Sequence, residues 1–261
     1  MLQLKTLATR HAPVRYLEGG AGEPLLFIHG AGGLISAEDP LLNALAKTHH
    51  VFAPYLPGYG GTEDCTELRD MLDYTLFAWD LVRGFGLGDP IIVGDAMGGM
   101  IAAEMAATAP NDVTRLVLIA PAGLWLDEHP VPDFFTLLPY ELPEILFHDV
   151  EAGTRLLTSG LQLDDPIFLQ DYLIRSARQL GMAGKLLFPV PERGLAQRLY
   201  RITARTVIVW GANDRLYPPV YGEAFHAAIE GSTLKIVPDC GHVVAIEKPE
   251  AVVQAVVTLV V

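Results

Sequence analysis

Nucleophilic acyl chemistry needs an activated nucleophile, a base beside it, a carboxylate to orient the base, and donors for the developing oxyanion. The 261-residue sequence offers a candidate for each part, and one of them is chemically empty. The stretch Val93-Gly94-Asp95-Ala96-Met97-Gly98-Gly99 follows a β-prone run at 90–93 and precedes an Ala- and Met-rich run at 100–109. Small residues on both sides of one central position, at a strand-to-helix junction, make a nucleophile elbow. Its glycines let the chain turn sharply and hold residue 96 outward in a strained conformation. Serine is the usual occupant; here it is Ala96, and a methyl group attacks nothing. Asp214 is the candidate orienting carboxylate and His242 the candidate base. Each follows an expected strand, and the chain order of nucleophile, acid and histidine suits this architecture. The backbone N–H groups of Met97, at a helix start, and of Ala31, in a glycine-rich loop, are the candidate oxyanion hole.

These residues require a scaffold. Short strands are expected over 2–9 and 12–18. The apolar run 24–28 reads as a buried central strand that leads straight into His29-Gly30-Ala31-Gly32-Gly33. A helix is expected over 37–47 and a strand over 51–53, ended by Pro54-Tyr55-Leu56-Pro57-Gly58. Residues 66–86 read as a helix with Leu72, Leu76 and Trp79 on one face. Beyond the elbow come a helix at 97–109 and strands at 115–120, 206–210 and 233–237. Helices at 219–229 and 249–260 complete the pattern. Alternating strands and helices predict an α/β fold with a mostly parallel, doubly wound sheet. Residues 122–204 are far too many for an ordinary connection. Their helical pattern, aromatic side chains and prolines predict a helical cap (lid) inserted into a core of residues 1–121 and 205–261. Gly30 and the cap residues Trp125, Phe134, Phe135 and Tyr140 are candidates for the substrate pocket.

Composition narrows the partners. At 51% hydrophobic and 19% charged the chain suits a globular enzyme, and 18 basic against 31 acidic residues give a net charge of −13. That balance argues against nucleic acid or an anionic membrane as partner and leaves a small-molecule substrate. Cys65 and Cys240 have no CxxC spacing, and the N-terminal residues lack a signal peptide's pattern, so a cytoplasmic protein is expected. His49-His50 lack a metal-binding rhythm and are expected at the surface. Neither GxGxxG nor GxxxxGK[ST] occurs, so no cofactor and no metal are expected. Asp95 lies one residue before the elbow's tip, and its side chain is expected to point away from the substrate. His29 is expected to shape the oxyanion loop.

Four motifs in order carry a resemblance: His29-Gly30-Ala31-Gly32; Leu56-Pro57-Gly58-Tyr59-Gly60; Gly94-x-x-x-Gly98-Gly99; and Trp210-Gly211-x-x-Asp214-Arg215-x-x-Pro218 followed by Gly241-His242. The chain resembles the serine hydrolases of the α/β-hydrolase fold over nearly its full length. The resemblance implies ester or related acyl cleavage by a Ser-His-Asp mechanism. Two departures stand out: Tyr55 replaces the family's usual Asp before Leu-Pro-Gly, and Ala96 replaces the serine. The Met-Gly-Gly elbow with a helical cap resembles carboxylesterases and the carbon–carbon bond hydrolases of aromatic-ring degradation. Many of the latter carry a Trp after the catalytic histidine. Val243 stands here, which favours an ester of a small to medium apolar acid or alcohol. Three readings of Ala96 follow: a serine hydrolase inactivated by replacement of its nucleophile, a naturally non-hydrolytic binding protein, or a dehalogenase or epoxide hydrolase that uses Asp95.

Overall fold

The elbow is mounted on a sheet whose central strands are apolar on both faces. In the computed structural model, which describes residues 1–162 and 164–260, eight strands make one sheet. They are β1 (Gln3–Leu7), β2 (Val14–Gly19), β3 (Glu23–Ile28), β4 (His49–Pro54), β5 (Ile91–Asp95), β6 (Arg115–Ile119), β7 (Arg205–Gly211) and β8 (Thr233–Val237). The spatial order is β1-β2-β4-β3-β5-β6-β7-β8. β1–β2 and β2–β4 pair antiparallel and every later pair is parallel. Runs such as Leu25-Leu26-Phe27-Ile28 and Leu116-Val117-Leu118-Ile119 are fully buried, as strands covered by helices on both faces must be.

Helices cover both faces. α1 (Pro40–Leu45), α8 (Val244–Glu247) and α9 (Pro249–Val260) pack together on one face. On the other lie α2 (Met71–Gly84), α3 (Met97–Thr108) and α7 (Val220–Ala228). α3 is buried on all sides, which explains why it is built from Gly, Ala and Met and not from an amphipathic pattern. Aspartates cap several helices: Asp39 accepts from Leu42 N at 2.9 Å and Asp70 from Asp73 N at 3.1 Å. Part of the chain's acidity is therefore local architecture.

Several elements differ from the sequence reading. The expected helix 37–47 shrinks to α1, because Asp39 caps it and Pro40 starts it. Leu72 and Leu76 do share a face of α2, but that face points to solvent, with Leu72 61% exposed. Met71, Tyr74, Ala78 and Leu81 form the buried face. His49 and His50, expected at the surface, open β4, where His49 is buried and His50 stays partly exposed. His49 is buried beside the Thr48 hydroxyl and His50 pairs with Glu18 at 3.0 Å.

Between β6 and β7 the chain forms a short 3-10 turn at Phe134–Thr136, then α4 (Leu142–Leu146), α5 (Val150–Thr158) and the long α6 (Pro166–Leu187). Leu163 of the expected cap and Val261 at the end of the expected core lie outside the described residues. Side chains anchor this segment to the sheet domain. Lys185 Nζ donates to the carbonyls of Cys65 and Leu68, both at 2.7 Å. Tyr59 OH donates to Gln179 O at 3.1 Å. Near the segment's end Arg198 forks onto Glu104 of α3, with Nε to Oε2 at 2.9 Å and Nη2 to Oε1. Glu104 is fully buried, so removing its partner leaves an uncompensated charge in the core. Arg198→Ala is therefore expected to lower unfolding free energy by about 3 kcal/mol in urea titrations. A loss below about 0.5 kcal/mol would mean that the pair carries no such weight.

Candidate active site

The parallel strands deliver the candidate residues to one edge of the sheet, at their C-terminal ends, where α/β folds bind ligands. Ala96 follows β5 directly and adopts φ 48° and ψ −108°. A left-handed non-glycine residue there costs on the order of 1–3 kcal/mol and persists only when its surroundings enforce it. Ala96 N donates to Ile119 O at 2.8 Å, while Ala96 O accepts from Met100 N at 3.1 Å and Ala122 N at 3.0 Å. The neighbouring glycine explains the close fit. A side-chain carbon on Gly98 would lie 2.0 Å from Ile28 O and 2.7 Å from His29 O. Only a hydrogen fits between α3 and the end of β3.

Asp214 and His242 come together. His242 Nδ1 donates to Asp214 Oδ2 at 2.8 Å, with both side chains buried. The second carboxylate oxygen accepts from Leu216 N at 2.9 Å and Tyr217 N at 2.8 Å. Asp214 is thus fixed from both ends and presents one oxygen to the imidazole, which leaves Nε2 free. Burial opposes a charge on His242, but the Asp214 carboxylate and its hydrogen bond, with Asp95 adding to them, outweigh burial and raise its pKa above 6.5.

The His242 loop is held by groups the sequence reading did not single out. Glu247 accepts from Gly241 N at 2.6 Å, His148 N at 2.9 Å and Asp149 N at 3.1 Å. His242 N donates to Leu146 O at 2.8 Å. Arg215 donates to Glu144 O and Phe147 O. The ring of Tyr217 lies 5.6 Å from that of His242. The base loop and the α4–α5 corner are therefore one hydrogen-bonded unit. A side-chain carbon on Gly241 would sit 2.5 Å from Leu146 O, which is why glycine precedes the histidine. Glu247 stood in the sequence only as context for His242, because hydrogen bonding to backbone 98 residues away leaves no local pattern.

His29 shapes the loop after β3. Its Nδ1 donates to Gly30 O at 2.7 Å and its Nε2 accepts from Leu56 N at 3.0 Å. Those two bonds need the neutral ring, and burial pushes its pKa down to about 4. Tyr55, in place of the expected Asp, donates to Ile35 O at 3.0 Å. Among the described residues neither Ala31 N nor Met97 N donates to another group.

Asp95 Oδ2 and the Ala96 methyl each lie 3.2 Å from the point that a side-chain carbon on Gly30 would occupy. Burial raises the Asp95 pKa to about 6, with Asp39 adding to the shift and His242 and the Gly30 N–H opposing it. Of the four cap candidates, Trp125, Phe134 and Phe135 line one small cavity with Leu187 and Tyr217. Tyr140 does not belong with them; it is 72% exposed. Among the described residues, three metal-ligating side chains meet within 4.8 Å only at His11, Cys65 and Glu67. Two of these form a hydrogen-bonded pair at 2.8 Å.

Comparison with known proteins fits this geometry. The profile of the alpha/beta hydrolase family matches residues 25–255. The chain belongs to the alpha/beta hydrolase family. It is 31% identical over 246 residues to the dihydrolipoyllysine-residue acetyltransferase component of the acetoin cleaving system of Cupriavidus necator. The match covers 90% of this chain but only 63% of that protein's length. It is 28% identical over 251 residues to the 2-hydroxy-6-oxo-6-(2'-aminophenyl)hexa-2,4-dienoic acid hydrolase of Metapseudomonas resinovorans, covering 90% of this chain and 83% of that one. Among solved structures, a meta-cleavage product hydrolase from Pseudomonas fluorescens, a serine-to-alanine mutant complexed with acetates, superposes with a TM-score of 0.78. Identity there is 22%, with 98% of this chain and 97% of that one covered. No helix among the described residues is long and apolar enough to cross a membrane.

Asp95 makes a pH-dependent prediction. Its folded pKa of about 6 lies above its ordinary 3.8. It therefore favours folding at low pH, and that contribution is lost as pH rises through 6. Asp95→Asn should stabilise the protein at pH 8 by about 1–2 kcal/mol, discounted for partial exposure, and give no gain at pH 4. Urea midpoints at the two pH values measure this; equal shifts at both would contradict it.

Proposed function

We propose that this chain carries the site of a serine hydrolase that cleaves carboxylic esters of small to medium apolar groups, with Ala96 where the attacking serine would stand. The observation that carries the reading is the left-handed backbone of Ala96 at the tip of the elbow, beside a buried, hydrogen-bonded His242–Asp214 pair. Alanine gains nothing from that strained conformation, whereas a serine there would present its hydroxyl to the free Nε2 of His242. The unaltered chain is then a binder of its substrate and not a catalyst.

In the Ala96→Ser form, His242 Nε2 takes the hydroxyl proton as the oxygen attacks the carbonyl carbon. The N–H groups of Met97 and Ala31 receive the oxyanion. The protonated imidazole returns its proton to the departing alcohol. A water deprotonated by His242 then attacks the acyl-enzyme and releases the acid. Asp214 holds the imidazole in the required tautomer and stabilises its cation. The segment 122–204 acts as a lid, and Trp125, Phe134 and Phe135 supply its apolar lining. Gly30 lies beside the elbow and leaves its side of the site to the substrate portion next to the scissile group. Cleavage of a carbon–carbon bond next to a ketone, as the name of the dienoic acid hydrolase relative describes, would use the same groups. Val243 after the histidine favours the ester.

The test is one substitution. Ala96→Ser should hydrolyse short aryl esters with a gain on the order of 10⁶ in kcat over the unaltered chain. The gain should vanish in Ala96→Ser/His242→Ala. The acid limb of its kcat/KM profile should lie above pH 6.5, because His242 must be neutral to act and its pKa is raised. A correctly folded Ala96→Ser protein that stays inert toward esters, thioesters and β-diketones would defeat the proposal.

A further inference from the structure

Asp95 has no role in the triad, yet its half-buried carboxylate lies beside the elbow, where the Gly30 N–H donates to it. Oδ2 and the Ala96 methyl converge on the same point beside Gly30, each 3.2 Å from it. The residue is half-buried, and among the described residues it forms no ion pair with any Lys or Arg. Arg215 and Arg198 are committed elsewhere: Arg215 to two backbone carbonyls, Arg198 to Glu104. The other charged groups that act on Asp95 are Asp39, which is fixed as the cap of α1, and His242, which is already held by Asp214. A carboxylate kept in a partly desolvated position without a cation is costly. Such groups cluster where they act on a ligand.

We propose that Asp95 sets a charge requirement on the otherwise apolar ester proposed above, favouring ligands that carry a positive charge on the portion seated beside Gly30 and excluding those that carry a carboxylate there. This inference rests on the elbow pocket being the substrate site. A cationic group about 5 Å from an ionised carboxylate, at the effective dielectric of a protein surface, gains at least tenfold in affinity over a neutral isostere, and an anion loses as much. Among the described residues no Lys or Arg pairs with Asp95 to offset either effect. The aromatic rings of Trp125, Phe134, Phe135 and Tyr217 line one cavity, which Tyr217 links to the His242 ring at 5.6 Å, and such faces attract alkylammonium groups.

The experiment measures equilibrium binding to the unaltered chain at pH 8, by calorimetry, for three matched esters. They are butyrylcholine, its neutral isostere with a tert-butyl group in place of the trimethylammonium, and the analogue in which a carboxylate replaces one methyl of that tert-butyl group. The expected order of affinity is cation over neutral over anion, with about tenfold between steps. Asp95→Asn should compress the whole range to within about threefold, chiefly by strengthening the anion and weakening the cation. Equal affinities in the unaltered chain, an unchanged order in Asp95→Asn, or no binding of any of the three would overturn the proposal. Turnover by Ala96→Ser is read separately. An active Ala96→Ser protein with no charge preference sinks this inference alone, and an inert one that keeps the charge order sinks the hydrolytic reading alone.

Discussion

The close passage of α3 against the end of β3 is the constraint on which the site depends. Gly98 meets the carbonyls of Ile28 and His29 with no space for a side chain. The helix therefore begins beneath the loop that His29 braces, and the turn before it forces residue 96 into a left-handed conformation. The same contact brings Gly30 beside Ala96 and brings the Ala31 and Met97 N–H groups to one end of the sheet. Strain at residue 96 follows from packing that the whole sheet supports. It survives although the residue is alanine and has no hydroxyl to present.

A second coupling joins the base to the segment between β6 and β7. Glu247 binds three backbone N–H groups at once, two at the start of α5 and one directly before His242. Leu146 accepts from the N–H of His242 itself. Movement of the α4–α5 corner therefore moves the histidine loop, whereas Asp214 is anchored in its own turn by Leu216 and Tyr217. Any displacement of that corner acts on the imidazole through its backbone first.

Much of this was legible in the sequence because it follows from local pattern. Apolar runs of strand length marked the parallel strands. Paired glycines marked the elbow, and the loops after β7 and β8 carry Asp214 and His242. The misreadings have distinct physical causes. Leu72 and Leu76 have helical spacing, but spacing cannot say which face of α2 meets the sheet, and Tyr74 and Phe77 supply the buried face instead. His49 and His50 were expected at the surface, yet they open a strand where Thr48 and Glu18 satisfy their rings. Glu247 and Leu146 act on backbone groups distant in sequence, and such contacts have no signature in residue type.

Chemical labelling of residue 96 tests the central claim most directly, namely that the site lacks one oxygen and nothing else. Ala96→Ser is treated with a serine-reactive fluorophosphonate, and the intact protein is weighed by mass spectrometry beside the unaltered chain and Ala96→Ser/His242→Ala. The account predicts one adduct per chain in Ala96→Ser, mapped to position 96, and none in the other two proteins. A folded Ala96→Ser protein that takes up no label, or that labels equally well without His242, would contradict it.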